Sequence, residues 1–284
     1  MPSALVCPDS LKGVLAAPAA AAALAEGFAA VGVECDELPL ADGGEGTAAV
    51  LAERLPPGAV VVDAASVIPF GNGLRSSRPL GELLASVEAE RLYLGLGGTA
   101  NMDGGAGLLA ALSELPAPTT VLCDVRTTLY DAPRLFGPQK GATPEQVVEL
   151  EQRFRADGRL KAFASLPGSG AAGGLGAALA SLGAELVPGA AAVLDLVGFD
   201  ASRYALVVTG EGRVDATTRA GKVAAEVAAR SAAGGVPCVV FGGVVEEPLP
   251  DAETVSLSGD PALARSDLVA LGRRLGLRLL DAPG

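Results

Sequence analysis

The chain has 284 residues, 50% hydrophobic but only 4% aromatic, with 38 glycines and a net charge of −12. That length buries a sizeable core, as one large domain or two smaller ones, and that charge argues against non-specific attraction to nucleic acid or an anionic membrane. The sequence contains no histidine, which removes Ser-His-Asp and Cys-His triads, imidazole acid–base chemistry and most transition-metal centres.

In chain order, a short apolar run at 3–7 reads as a strand and ends in Pro8-Asp-Ser-Leu-Lys-Gly13. A helix is expected over 16–30, a strand over 33–38, then the loop Pro39-Leu-Ala-Asp-Gly-Gly-Glu-Gly-Thr47. A helix over 47–54 and a strand over 60–63 follow, and 66–79 reads as irregular. Helix 80–88, strand 91–96, helix 104–112, strand 119–123 and helix 144–156 come next. The glycine cluster 168–176 opens a small-residue helix over 175–182. The strand 205–208 ends at Thr209-Gly-Glu-Gly-Arg-Val-Asp215. Helix 223–232, strand 238–241, a short strand at 255–258 and a helix over 262–279 complete the chain. Strands that are continuous apolar runs, alternating with helices, predict an α/β fold with a mostly parallel sheet covered on both faces.

Ligands of such sheets lie beyond the carboxyl ends of the strands, and every polar-glycine cluster here falls at such an end. The central one runs from Leu94 to Gly107: an apolar strand, the turn Gly95-Leu-Gly-Gly-Thr-Ala100, then Asp103-Gly-Gly before a helix. Glycines there let main-chain N–H groups close around an anion. Asp9, Ser10 and Lys12 offer a carboxylate, a hydroxyl and an ammonium at one strand exit, or a plain helix cap. Asp42 and Glu45, separated by two glycines, suit Mg²⁺ or a polyol. Asp124 ends another strand, and Lys140 stands in the glycine-flanked loop Phe136-Gly-Pro-Gln-Lys-Gly-Ala142. Glu211, Arg213, Asp215 and Lys222 crowd charge and glycine together in the pattern of a phosphoryl site. The four cysteines (7, 35, 123 and 238) are far apart and read as buried thiols of a reducing compartment, not as a disulfide framework or zinc site. With no charged leader and no unbroken apolar span, a cytoplasmic protein is expected.

Taken in order, these stretches resemble the bacterial-type, two-domain glycerate kinase family, together with Cys123-Asp-Val125 and Gly170-Ala-Ala-Gly-Gly-Leu-Gly176. The resemblance implies ATP- and Mg²⁺-dependent phosphorylation of D-glycerate, usually to 2-phosphoglycerate. It implies two α/β domains, one discontinuous and flavodoxin/Rossmann-like, with the active site in the interdomain cleft; the expected spans are 1–58 with 200–284, and 59–199. Asp42, Asp215, Lys12 and Arg213 are the expected catalytic groups. Gly97, Gly98, Thr99, Asp103, Gly104, Lys140, Glu211 and Lys222 are expected to hold the nucleotide, and Asp9, Glu45 and Asp124 the metal. The expected partner is a small hydroxy acid, with a homodimer left open. The chain departs from the family pattern at Asn101-Met102-Asp103, at Thr127-Thr128 and at Thr217, and it looks shorter between residues 47 and 91 and after 243. Two rival readings stand: a metabolite-binding descendant that has lost turnover, and an NAD-dependent dehydrogenase drawn from the glycine fingerprints at 95–100 and 168–173.

Overall fold

The computed structural model describes residues 3–71 and 73–281. In order the elements are β1 (Ser3–Val6), α1 (Ala17–Ala29), β2 (Glu34–Glu37), α2 (Thr47–Leu51), β3 (Ala59–Asp63), α3 (Arg78–Leu84), β4 (Arg91–Gly95), α4 (Ala106–Ala111) and β5 (Thr119–Cys123). Then come α5 (Ala132–Phe136), α6 (Pro144–Ala156), α7 (Ala171–Ser181), β6 (Glu185–Pro188), α8 (Gly189–Leu196), β7 (Leu206–Val214), α9 (Val223–Ala233), β8 (Cys238–Val245), β9 (Glu253–Ser256) and α10 (Ala264–Asp281). Among the described residues no helix is long and apolar enough to cross a membrane.

The chain forms two compact units, Met1–Ala41 with Leu194–Gly284, and Asp42–Val193. The first break precedes α2 rather than following it. The first unit holds a five-stranded sheet in the order β2-β1-β7-β8-β9, parallel throughout. Counted within the unit this is 2-1-3-4-5, the flavodoxin-like order. Its core joins Val6, Leu24, Phe28, Val208, Phe241, Leu268 and Leu271. Helices α1 and α10 cross closely because glycines meet: a Cβ on Gly27 would lie 2.9 Å from the Cα of Gly272 and 2.6 Å from the Arg273 nitrogen.

The second unit holds the parallel sheet β3-β4-β5-β6. Leu80, Leu92, Leu94, Val121, Leu175 and Leu179 form one core; Met102, Leu129, Leu150, Phe154 and Leu160 form another under α6. Helix α6 starts on a full capping box, with Thr143 accepting from the Gln146 N–H and Gln146 accepting from the Thr143 N–H.

Three differences from the sequence expectation matter. First, β7 does not end at 208; it runs to Val214, paired with β8 through Val245. Glycine makes this pairing tight, since a Cβ on Gly243 would meet the Gly212 carbonyl at 2.7 Å. Second, β6, α5 and α8 were not legible, because the short Glu185–Pro188 strand is half exposed and carries no alternation. Third, the right-handed part of α7 starts at Leu175, as expected, but it is preceded from Ala171 by a turn inside the glycine cluster in which Ala172, Gly173 and Gly174 are all left-handed. Ala172 is the one non-glycine with positive φ among the described residues; its carbonyl is held by the Asn101 side-chain amide at 2.6 Å.

Candidate functional site

In the first unit, β1 lies between β2 and β7, so successive connections leave it in opposite directions along the sheet. A crevice opens at such a point beyond the strand ends. Here it is a cavity of about 360 Å³, and its lining includes Asp9, Ser10, Lys12, Glu211, Arg213, Asp215 and Lys222. The candidate catalytic, nucleotide and metal residues expected in this unit therefore share one hollow.

Local structure explains the placement. The ladder continues past β1, with the Asp9 N–H donating to the Gly210 carbonyl at 2.9 Å. Asp9 is buried and accepts from the Ser10 N–H at 2.6 Å. Residues Leu11 and Leu15 pair back on each other across a turn closed by Gly13 at φ 74°, which carries Lys12 at its exposed tip. Extended β7 then sends Glu211 to the buried side, where the Lys222 ammonium meets its carboxylate at 3.0 Å. Arg213 pairs with Glu246 on the exposed rim. The Asp215 carboxylate accepts from the Thr217 N–H at 2.8 Å and hydroxyl at 2.6 Å. Those donors hold its carboxyl below the usual range, outweighing partial burial, with Lys222 adding to the effect.

In the second unit the loop after Asp42 folds against the ends of β4 and β5. Asp42, buried, accepts from the Gly44 N–H at 2.9 Å, and the Gly97 N–H donates to the Gly43 carbonyl at 3.2 Å. A Cβ on Gly97 would lie 2.7 Å from the Asp124 carboxylate and 2.7 Å from the Gly44 Cα, so glycine is what lets these three segments meet. Gly98 packs beside the Cβ of Glu45, an exposed residue. Lys140 is buried on this cluster, donating to the Asn101 carbonyl at 3.0 Å. Burial pushes its ammonium down to about 8, against the opposing pull of the Asp124 charge. Thr99 Oγ1 and Asn101 Oδ1 are buried without a hydrogen-bond partner.

Sequence reasoning missed Asp63. It ends β3 and accepts from the Gly46 N–H at 2.9 Å and the Ala48 N–H at 3.0 Å, pinning the loop that carries Asp42 and Glu45. Burial raises its carboxyl despite those donors. A carboxylate at a strand's carboxyl end, beside a glycine-rich loop, was the available signal.

The structure places Asp103, the expected metal ligands and the glycine fingerprints as follows. Asp103 is engaged within the protein: Ser77 N–H and Oγ, each at 2.8 Å, and the Gly105 and Gly107 N–H groups donate to its two oxygens. It ties α3 to the start of α4, and the neighbouring Gly104 packs against the Phe154 ring. Of the expected metal ligands, Asp9 lies in the first unit and Glu45 and Asp124 in the second; among the described residues no group of three potential ligands gathers. Neither glycine fingerprint makes a tight strand–turn–helix unit. After β4 ends at Gly95 the chain stays irregular until Ala106, and Gly168 follows a helical turn at Lys161–Phe163, not a strand. All four cysteines are free, three of them buried.

The description "Glycerate kinase family" matches residues 4–73 and 115–259. The unmatched interval, 74–114, spans the stretch from the third helix to the fourth. The glycerate kinase of Bacillus subtilis strain 168 is 31% identical, covering 91% of this chain and 88% of its own length. The glycerate 2-kinase of Escherichia coli K12 is 32% identical, covering 79% of this chain and 80% of its own. A crystal structure described as glycerate kinase 2 from Salmonella typhimurium LT2 superposes with a TM-score of 0.78 at 27% identity, covering 98% of each chain. With a family match over most of its length and relatives above 30% identical across more than two thirds of it, the chain belongs to the glycerate kinase family.

Proposed function

We propose that this kinase transfers the γ-phosphoryl group of Mg-ATP to D-glycerate, forming 2-phosphoglycerate and ADP by direct in-line displacement. The observation that carries the reading is the cavity at the β1/β7 crevice, where three cations and three carboxylates of the family's motifs come together. Phosphoryl transfer asks a protein mainly for positioning and for neutralisation of charge on the transferring group. Lys12, Arg213 and Lys222 supply that neutralisation. Lys140, a buried cation, suits the small, compact charge of the glycerate carboxylate.

Histidine is absent, so a carboxylate must accept the hydroxyl proton. Asp42 is the better of the two candidates, because Asp215 is held ionised by Thr217 and is a correspondingly weak base. Mg²⁺ enters with the nucleotide; it is ordinarily bound by phosphate oxygens, water and one or two carboxylates rather than by an all-protein cage. Buried Asp9, on the lining of the cavity, fits that donor set.

The assay is ADP release from Mg-ATP on adding D-glycerate, with phosphorus NMR of the product to identify the esterified hydroxyl. Turnover giving the 2-phosphate supports the reading, and Asp42→Asn should lower kcat by about 10²- to 10⁴-fold. A folded protein that releases no ADP with D-glycerate would refute it.

A further inference from the structure

The first-unit cavity is lined by two kinds of group. One is charged, the strand-end residues together with Asp260 and Asp267; the other is apolar, Val14, Val244, Leu257 and Pro261. Val14 and Val244 keep 41% and 40% of their surface exposed, although they stand in a hollow where a protein ordinarily buries such groups. An apolar wall facing a few convergent polar groups is the usual design of a site for an organic ligand. D-glycerate cannot use that wall: each of its three carbons bears oxygen, and it has no apolar face to withdraw from water. A three-carbon acid would also leave most of about 360 Å³ to solvent. A nucleoside has both missing properties, a flat heteroaromatic ring and the bulk to fill the hollow.

We propose that this cavity seats the nucleoside of the nucleotide, with the purine ring against Val14, Val244 and Leu257 and the phosphates directed to Lys12 and Lys222. The assignment rests on the kinase reading above and divides its labour: the nucleotide belongs to the first unit. The arrangement follows from the fold. Val14 sits on the turn between Leu11 and Leu15 that also presents Lys12, and Val244 pairs in register with Arg213 across β7 and β8. Backbone hydrogen bonds therefore hold Val14 two residues from Lys12 and Val244 beside Arg213. The second unit offers a contrasting aromatic, Phe70, which is 56% exposed and whose N–H bonds the Gly98 carbonyl at 2.9 Å.

The test uses the full chain and isothermal titration with Mg-ADP and, separately, with inorganic tripolyphosphate. Val14→Ser and Val244→Ser change exposed side chains and should fold. Each should weaken Mg-ADP about 3- to 10-fold by removing apolar contact, while leaving tripolyphosphate affinity and the KM for glycerate unchanged. Phe70→Ala should leave Mg-ADP binding as it is. Wall variants that keep full Mg-ADP affinity, or that weaken ADP and tripolyphosphate alike, overturn the assignment, as does loss of ADP binding in Phe70→Ala instead. A wild-type chain that binds Mg-ADP through this wall but never phosphorylates glycerate would sink the kinase reading and keep the nucleoside site. Glycerate turnover with wall variants of unchanged ADP affinity would do the reverse, and a chain that binds no Mg-ADP overturns both.

Discussion

Lys140 shows how burial converts an ordinary side chain into a tuned one. Desolvation lowers its ammonium to about 8 although Asp124 opposes the shift. Because the folded value lies below the unfolded one, the buried charge costs stability below pH 8. That cost is relieved as pH rises from 8 towards the unfolded value of about 10.4. Binding has the opposite slope, since only the protonated form attracts a carboxylate. The kcat/KM for glycerate should therefore fall as pH passes about 8. Lys140→Arg should move that limb beyond about pH 9, because guanidinium stays charged, and Lys140→Met should raise KM by about tenfold or more and erase the limb. Asp103 makes the contrasting case. Its four donors are all within the protein, so Asp103→Ala should cost about 1–2 kcal/mol in urea unfolding with the KM for ATP unchanged. Asp42 and Asp103 both precede glycine pairs and look alike in sequence; the tertiary partners separate them.

At the level of elements, glycine sets how closely backbones approach. The α1–α10 crossing depends on Gly27 and Gly272, where any side chain would run into the opposing main chain. Gly27→Val should destabilise the protein by about 3 kcal/mol, read as a lower urea midpoint. The same property hid β7 from sequence reading. Thr209-Gly-Glu-Gly has the composition of a loop, yet it is a strand because Gly210, and Gly243 on β8, let the two backbones approach where a Cβ would run into the opposing main chain. Glycine runs signal either a turn or a tight strand pairing, and only the neighbouring segment decides between them. Helices α6 and α10 were legible because they carry their own signals, a capping box in one and a sustained apolar face in the other.

For the whole molecule, the lack of histidine has a direct consequence. No imidazole exists to titrate near pH 6.5, so kcat/KM should show no histidine limb below the Lys140 limb near pH 8. Diethyl pyrocarbonate at pH 6 should not inactivate the enzyme.

Composition and order of motifs by themselves determined the α/β class, the parallel sheets, the family and most of the charged residues that line the first-unit cavity. These are local properties: apolar runs, strand-end polar clusters and glycine spacing are written in contiguous residues. Tertiary structure alone decided that Asp103 is an anchor, that Asp63 pins the Asp42 loop and that Lys140 is buried beside Asp124. It also decided that Val14 and Val244, more than two hundred positions apart, line one cavity. Each of these turns on which distant segment a side chain meets and how much water it loses there. Sequence spacing encodes neither quantity until the chain has closed on itself.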